Sequence, residues 1–279
     1  MSKFILPIGF KHEGKTITEL DIADTGAEAE KIYTDKPTPA KLHEWFGKVL
    51  AASIHNIGGE VVAKDYLAAP PKDRVVPAII KKIPFLDVGS LLVQVQRECW
   101  EETIEEQKIQ CTSCAEKLEA DIELNKIDIP KSTGELLEFF DVKLPNTYTI
   151  DAGGVEQLVD YDGLKYNHIK FRTATLADGI KHGKVVKDEI TFWKRLAMDT
   201  MVSLYFEDED GSIEEIPDGY IAKKASSLFT KEFGSKTLKA IRKGVQTTQP
   251  SARYFYEEEC PECGQMTPFF ASVSNFFAS

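Results

Sequence analysis

Ile109-Gln110-Cys111-Thr112-Ser113-Cys114-Ala115 and, much later, Glu258-Glu259-Cys260-Pro261-Glu262-Cys263-Gly264 are the stretches that decide how this chain closes on itself. Each places two residues between a pair of cysteines, so that one tight turn aims both sulfurs at a single point. Two such turns complete a tetrahedral thiolate site of the kind zinc takes, with Zn–S near ~2.3 Å. Gly264 follows the second pair and suits a turn that needs positive φ. Ala115 stands in the equivalent place of the first pair and is a less suitable residue there. Between Cys114 and Cys260 lie 145 residues, far more than the ~15–20 that separate the pairs of a compact zinc ribbon. A shared ion would make everything between the pairs an insertion folded back by the metal. Closed by Cys111, Cys114, Cys260 and Cys263, the site would leave no position for substrate, so its zinc would be structural. The other readings are a disulfide within or between the pairs, or two unrelated pairs of ordinary thiols. A thioredoxin-like redox role is disfavoured, because each pair adjoins strands rather than opening a helix.

Outward from the first pair, Leu118, Ala120, Ile122 and Leu124 alternate with Glu119, Asp121 and Glu123, the period of a half-buried strand. Arg253 to Glu258 reads as a strand running into the second pair. At the N-terminus, residues 3–24 read as a hairpin that turns at His12-Glu13-Gly14-Lys15. Pro39 then opens a helix whose apolar residues run from Leu42 to Ile54 and Ile57, ended by Gly58-Gly59. Two shorter helices are expected, one after Pro71 and one from Phe85 to Trp100. The turn formers Pro145, Asn146, Gly153, Gly154 and Gly163 predict short strands over 142–165. A second long helix is expected over 187–205, then a solvated acidic turn at Glu207–Gly211, then a helix around 235–244.

The expected fold class is α+β. Residues 1–107 form an N-terminal hairpin plus helices, 108–130 and 250–279 a zinc-clasped, ribbon-like β unit, and 131–249 a mixed, largely helical insertion. Lys+Arg is 34 against Asp+Glu 45, a formal net charge of −11. That balance disfavours nucleic acid as a partner, since affinity for it comes largely from cations on phosphates. Every long apolar run is interrupted by charge, so no membrane span is expected. The opening Met-Ser-Lys-Phe-Ile-Leu-Pro-Ile-Gly is too short a run for a signal sequence. Synthesis in the cytoplasm follows, where thiols stay reduced.

No enzyme signature is present. The five histidines, His12, His43, His55, His168 and His182, show no ligand spacing, and no phosphate loop, dinucleotide fingerprint or nucleophile elbow occurs. Asp162-Gly163 and Asp178-Gly179 read as turns, and Cys99 as a buried apolar residue at a helix end. The closing segment from Pro268 holds four phenylalanines, suited either to core packing or to docking on another subunit.

Several of these features together resemble the T4-type phage base plate family. They are the N-terminal Leu-Pro-Ile-Gly strand, the helix ending near Gly58-Gly59, and the helix Leu91 to Glu98 leading to Cys-x-x-Cys. The segment Phe171-Arg172-Thr173-Ala174-Thr175-Leu176-Ala177-Asp178 and the closing Cys-Pro-Glu-Cys-Gly before Pro-Phe-Phe complete the set. The chain departs from the family pattern at Ala115, where glycine is expected, and over 131–165, which is enlarged. The resemblance implies a non-enzymatic, zinc-binding component of a contractile tail baseplate, at or near its central hub. It also implies other tail proteins as partners, several copies in a symmetric assembly, and a place in the virion. An assembly chaperone that leaves the mature particle is the first alternative. A host-directed regulator using a zinc ribbon is the second, and it would show a basic patch that the sequence does not display.

Overall fold

The alternating N-terminal sequence forms the expected hairpin, β1 (Ser2–His12) against β2 (Lys15–Ile22). Glu13 and Gly14 at its tip both have positive φ, 48° and 77°, the twist that a two-residue turn requires. Between Ile5 and Phe10 the register slips, around Pro7 and a Gly9 at φ 70°. The N–H groups of Ile8 and Gly9 at this slip donate instead to the fully buried carboxylate of Asp87, at 3.1 and 3.2 Å.

The computed structural model describes residues 1–35, 37–100, 102–132, 136–150, 164–185, 189–216, 226, 228–229, 233–248 and 255–270. Gly153, Gly154, Asp162-Gly163, Pro250, Arg253 and the last nine residues, among those read above, lie outside them.

After α1 (Ala27–Thr34), a single 3-10 turn at Pro39–Lys41 leads into α2 (Leu42–Ser53), which buries Trp45, Phe46, Val49 and Leu50. The helix expected to reach Ile57 stops four residues earlier. Ile54 turns extended at ψ 108° and pairs with Ile22, so that β3 (Ile54–Ile57) joins the sheet beside β2. Ile54 and Ile57 keep a helix-like spacing, but a waiting strand edge offers them ladder hydrogen bonds and burial together. Gly58-Gly59, with φ of 61° and 94°, therefore makes the turn between β3 and β4 (Glu60–Val61) rather than a helix end. The sheet order is β1-β2-β3-β4. Three helices follow, α3 (Ala63–Ala68), α4 (Ala78–Lys81) and α5 (Phe85–Cys99), while Pro71–Asp73 makes only one 3-10 turn.

The segment between the cysteine pairs carries helices, as expected, and a four-stranded antiparallel sheet as well. Its strands are β7 (Phe139–Ile150), β8 (Leu164–Arg172), β9 (Met201–Glu207) and β10 (Ile213–Glu215), in the order β10-β9-β8-β7. The short strands expected from residue 142 are thus, on the N-terminal side, one strand of 12 residues. The helix expected over 187–205 ends at Thr200. There α7 (Glu189–Thr200) passes directly into β9, where Leu204 is drawn opposite Ile169 of β8. The later helix is α8 (Ser235–Thr248), which packs on β7 through Gly244. A Cβ at Gly244 would lie 2.6 Å from Val142 Cγ1, so glycine is what permits this approach.

By internal contacts the chain divides into two units. Unit 1 holds residues 1–136, 175–185 and 250–279, and unit 2 holds 137–174 and 186–249. Unit 1 joins the expected N-terminal and cysteine-bearing segments, and adds 131–136 and, from deeper in the expected insertion, the stretch 175–185. It forms α6 (Leu176–Gly183), opened by a capping box between Thr175 and Asp178. Asp178-Gly179 is therefore helical, not a turn. Gly179 faces Phe85 and Gly183 faces His43, where added Cβ atoms would come within 2.5 and 2.4 Å. Each unit has its own core, with Leu50, Ile57, Leu91 and Leu176 in unit 1, and Tyr166, Ile169, Phe171 and Leu204 in unit 2.

Candidate metal centre

Two hairpins of unit 1 carry the cysteine pairs. In the first, β5 (Thr103–Gln110) turns into β6 (Lys117–Glu123), and Gln110 pairs with Lys117. In the second, β11 (Phe255–Glu259) turns into β12 (Met266–Phe270), and Glu259 pairs with Met266. Both turns are closed by the same two bonds. Cys111 N–H donates to the Glu116 carbonyl at 2.8 Å and Ala115 N–H to the Cys111 carbonyl at 3.0 Å. Cys260 N–H donates to the Gln265 carbonyl at 3.0 Å and Gly264 N–H to the Cys260 carbonyl at 2.8 Å. The residue after each second cysteine is left-handed, Ala115 at φ 61° and Gly264 at φ 68°.

All four expected residues come together. The sulfurs of Cys111, Cys114, Cys260 and Cys263 lie within 4.8 Å of one another. Cys111 Sγ is 3.7 Å from Cys263 Sγ, and Cys114 Sγ is 3.6 Å from Cys260 Sγ. A disulfide needs ~2.05 Å, whereas a tetrahedron with ~2.3 Å metal–sulfur bonds has edges near ~3.8 Å. Cys111 and Cys260 are buried beside Leu118, and Cys114 and Cys263 stand on the solvent side. The electrostatics suit a cation. The Thr267 hydroxyl lies against Cys111 and, with the N–H groups of Cys114 and Ser113, draws its thiol down to about 6. At Cys114 the Glu116 N–H pulls downward, but burial and the adjoining thiols of Cys111, Cys263 and Cys260 push the group up to about 12. One thiolate thus raises its neighbours, and a dication removes that conflict by favouring the ionised form of all four. The donor set fits zinc.

Other titratable groups have local explanations. Cys99 packs partly buried against the core of unit 1, and burial raises its thiol to about 11. His43 is lowered to about 4 by burial, and His168 stacks on Tyr205 with ring centres 5.0 Å apart. The acidic turn is an exposed loop in which Asp208 accepts from the N–H groups of Asp210 and Ser212. Sequence reading missed one grouping, His12, Glu13 and Glu60, whose ligand atoms lie within 4.8 Å. The sheet brings Glu60 to His12 at 2.9 Å, and no local spacing could have signalled it. Both carboxylates are exposed and His12 Nδ1 is buried without a hydrogen-bond partner. A metal-ligating histidine normally anchors that second nitrogen, so this grouping is a poor metal site.

Among the described residues no helix is long and apolar enough to cross a membrane. No curated protein and no solved structure matches the chain. Residues 62–278, which include both cysteine pairs and both units' sheets except for β1 to β4, match the model of the T4 bacteriophage base plate protein, and the chain belongs to that family.

Proposed function

We propose that the chain is a structural subunit of a contractile-tail baseplate, at or near the central hub, whose two cysteine hairpins are clasped by one zinc ion. The observation that carries this reading is a family match that spans both cysteine pairs. The closeness of the four sulfurs supports the metal. When bound, zinc would supply a four-thiolate cross-link with no open coordination position. Cys111 and Cys114 would hold it from one hairpin, and Cys260 and Cys263 from the other. The ion would join parts of unit 1 with 145 residues between them in sequence. The role is non-enzymatic: shape and attachment to other tail proteins, in several copies, without nucleic acid or membrane as partner. The protein would be made and assembled in the host cytoplasm and retained in the virion tail.

Quantitative mass spectrometry of purified tail particles beside the unassembled lysate tests this. A fixed ratio to the tube and sheath proteins supports the subunit and supplies its copy number. Abundance in the lysate with absence from the particle would establish the assembly-factor alternative instead.

A further inference from the structure

Helices α7 and α8 leave a groove between them on unit 2, about 670 Å³ in volume. Its walls follow helical spacing, with Ile190, Trp193 and Ala197 from α7 and Leu238 and Val245 from α8. Phe229 and Ile241 form the floor and belong to the core of the unit. Ile190 is 65% exposed, a branched apolar side chain left largely uncovered. Around the rim stand Lys194, Lys239, Arg242 and Lys243, and none of the described lining residues is acidic. The chain as a whole carries a net charge of −11, so this gathering of cations runs against its average. Three of the four, Lys239, Arg242 and Lys243, stand within five residues of α8, and α7 adds Lys194 from a separate segment.

We propose that this groove receives an acidic amphipathic helix from a neighbouring tail protein. Apolar side chains spaced i, i+3 or i+4, and i+7 would enter between Trp193 and Leu238, and flanking carboxylates would meet Lys194 and Lys239. α7 lines the groove from Ile190 to Ala197 and α8 from Ser235 to Val245, so it runs ~11–15 Å and accommodates two to three turns of helix. Nucleic acid would also meet the cations, but its phosphates gain nothing from walls that are mostly aliphatic with one aromatic ring. The source of the helix rests on the baseplate reading. Its chemistry does not, and the test below uses the purified chain, so failure here leaves the particle measurement untouched.

The probe is a labelled synthetic peptide of about 14 residues, with leucines at i, i+3, i+4 and i+7 and glutamates elsewhere. A twin carries lysine in place of glutamate, and oligothymidine serves as competitor. Fluorescence anisotropy with the full chain should show the acidic peptide binding at least about tenfold tighter than its twin, and more weakly as salt rises. Ile190→Glu and Lys239→Glu should each weaken it about tenfold with an unchanged thermal midpoint. Should Ile190→Glu disturb folding, Lys239→Glu alters only charge on an exposed helix surface and decides alone. Equal binding of both peptides, or binding unchanged in the variants, would overturn the proposal. So would competition by oligothymidine at equal strength, which assigns the rim to nucleic acid. A concentration-dependent dimer that Ile190→Glu abolishes would give the groove to a second copy and also overturn it.

Discussion

The turn at 111–116 and the turn at 260–265 share their hydrogen bonds but not their residues. In the second, Pro261 limits the backbone after Cys260, and Gly264 adopts its left-handed conformation without a Cβ to oppose it. In the first, Thr112 and Ala115 occupy those places, and Ala115 is held at φ 61°. Left-handed backbone costs an L residue with a Cβ ~1–2 kcal/mol. Gln110 offers one compensation, donating from its side-chain amide to the Ala115 carbonyl at 3.0 Å. The second turn is thus disposed by its own sequence toward the metal-binding shape, whereas the first is held there by its surroundings. If one ion serves both, it does more for the first turn than for the second.

The most severe way to test that asymmetry is to remove the ion. Cys111→Ser should abolish stoichiometric zinc by elemental analysis and lower hydrogen-exchange protection at both turns. Unchanged protection around 260–265 would defeat the shared site. In wild-type protein stripped by chelation, residues 111–116 should exchange faster than 260–265, and the reverse order would sink the claim that the first turn depends more on the ion.

Acid also releases such an ion, so the pH response of the rest of unit 1 has to be known separately, by urea unfolding of the metal-free protein. Burial lowers His43 to about 4, below its ordinary 6.5. Its stabilising contribution is present above 6.5 and lost as pH falls toward 4. Burial raises Asp87 to about 7, outweighing the Gly9 and Ile8 N–H bonds that lower it. Its contribution is full below 3.8 and lost as pH rises through 7. The two oppose each other across the acid range. Asp87→Asn should leave a protein that weakens on acidification from 6.5 to 4, and His43→Gln one that strengthens, each by at most about 3–4 kcal/mol. Equal slopes in the two variants would remove this account.

Smaller effects sharpen the comparison at single positions. Gly264→Ala should destabilise by about 1–2 kcal/mol in thermal or urea unfolding, since it imposes on the second turn the strain that the first already bears. Ala115→Gly should stabilise by only about 0.5–1 kcal/mol, because relief of that strain is partly offset by the greater freedom of glycine in the unfolded chain. Opposite signs would show that the left-handed turns are not what distinguishes the two knuckles.

Much of this protein was determined by the sequence acting locally. The β1–β2 turn at Glu13-Gly14, the α5 helix, the strand after Cys114 and the second cysteine turn follow from residue type and spacing over a few positions. The four candidate ligands could be read at once, because cysteine pairs with that spacing have few other uses. What the tertiary structure decided lies where local spacing is ambiguous. Ile54 with Ile57, and Met201 with Leu204, are three apart and fit a helix, yet they lie on strands because Ile22 and Ile169 wait across the ladder. Asp178-Gly179 reads as a turn, yet the capping box at Thr175 and the close faces of Phe85 and His43 make it helical. The assignment of 175–185 to unit 1 and the Asp87 anchor for the slipped strand β1 are invisible along the chain for the same reason. Each depends on groups distant in sequence, whose burial and hydrogen bonds form only once the chain has folded.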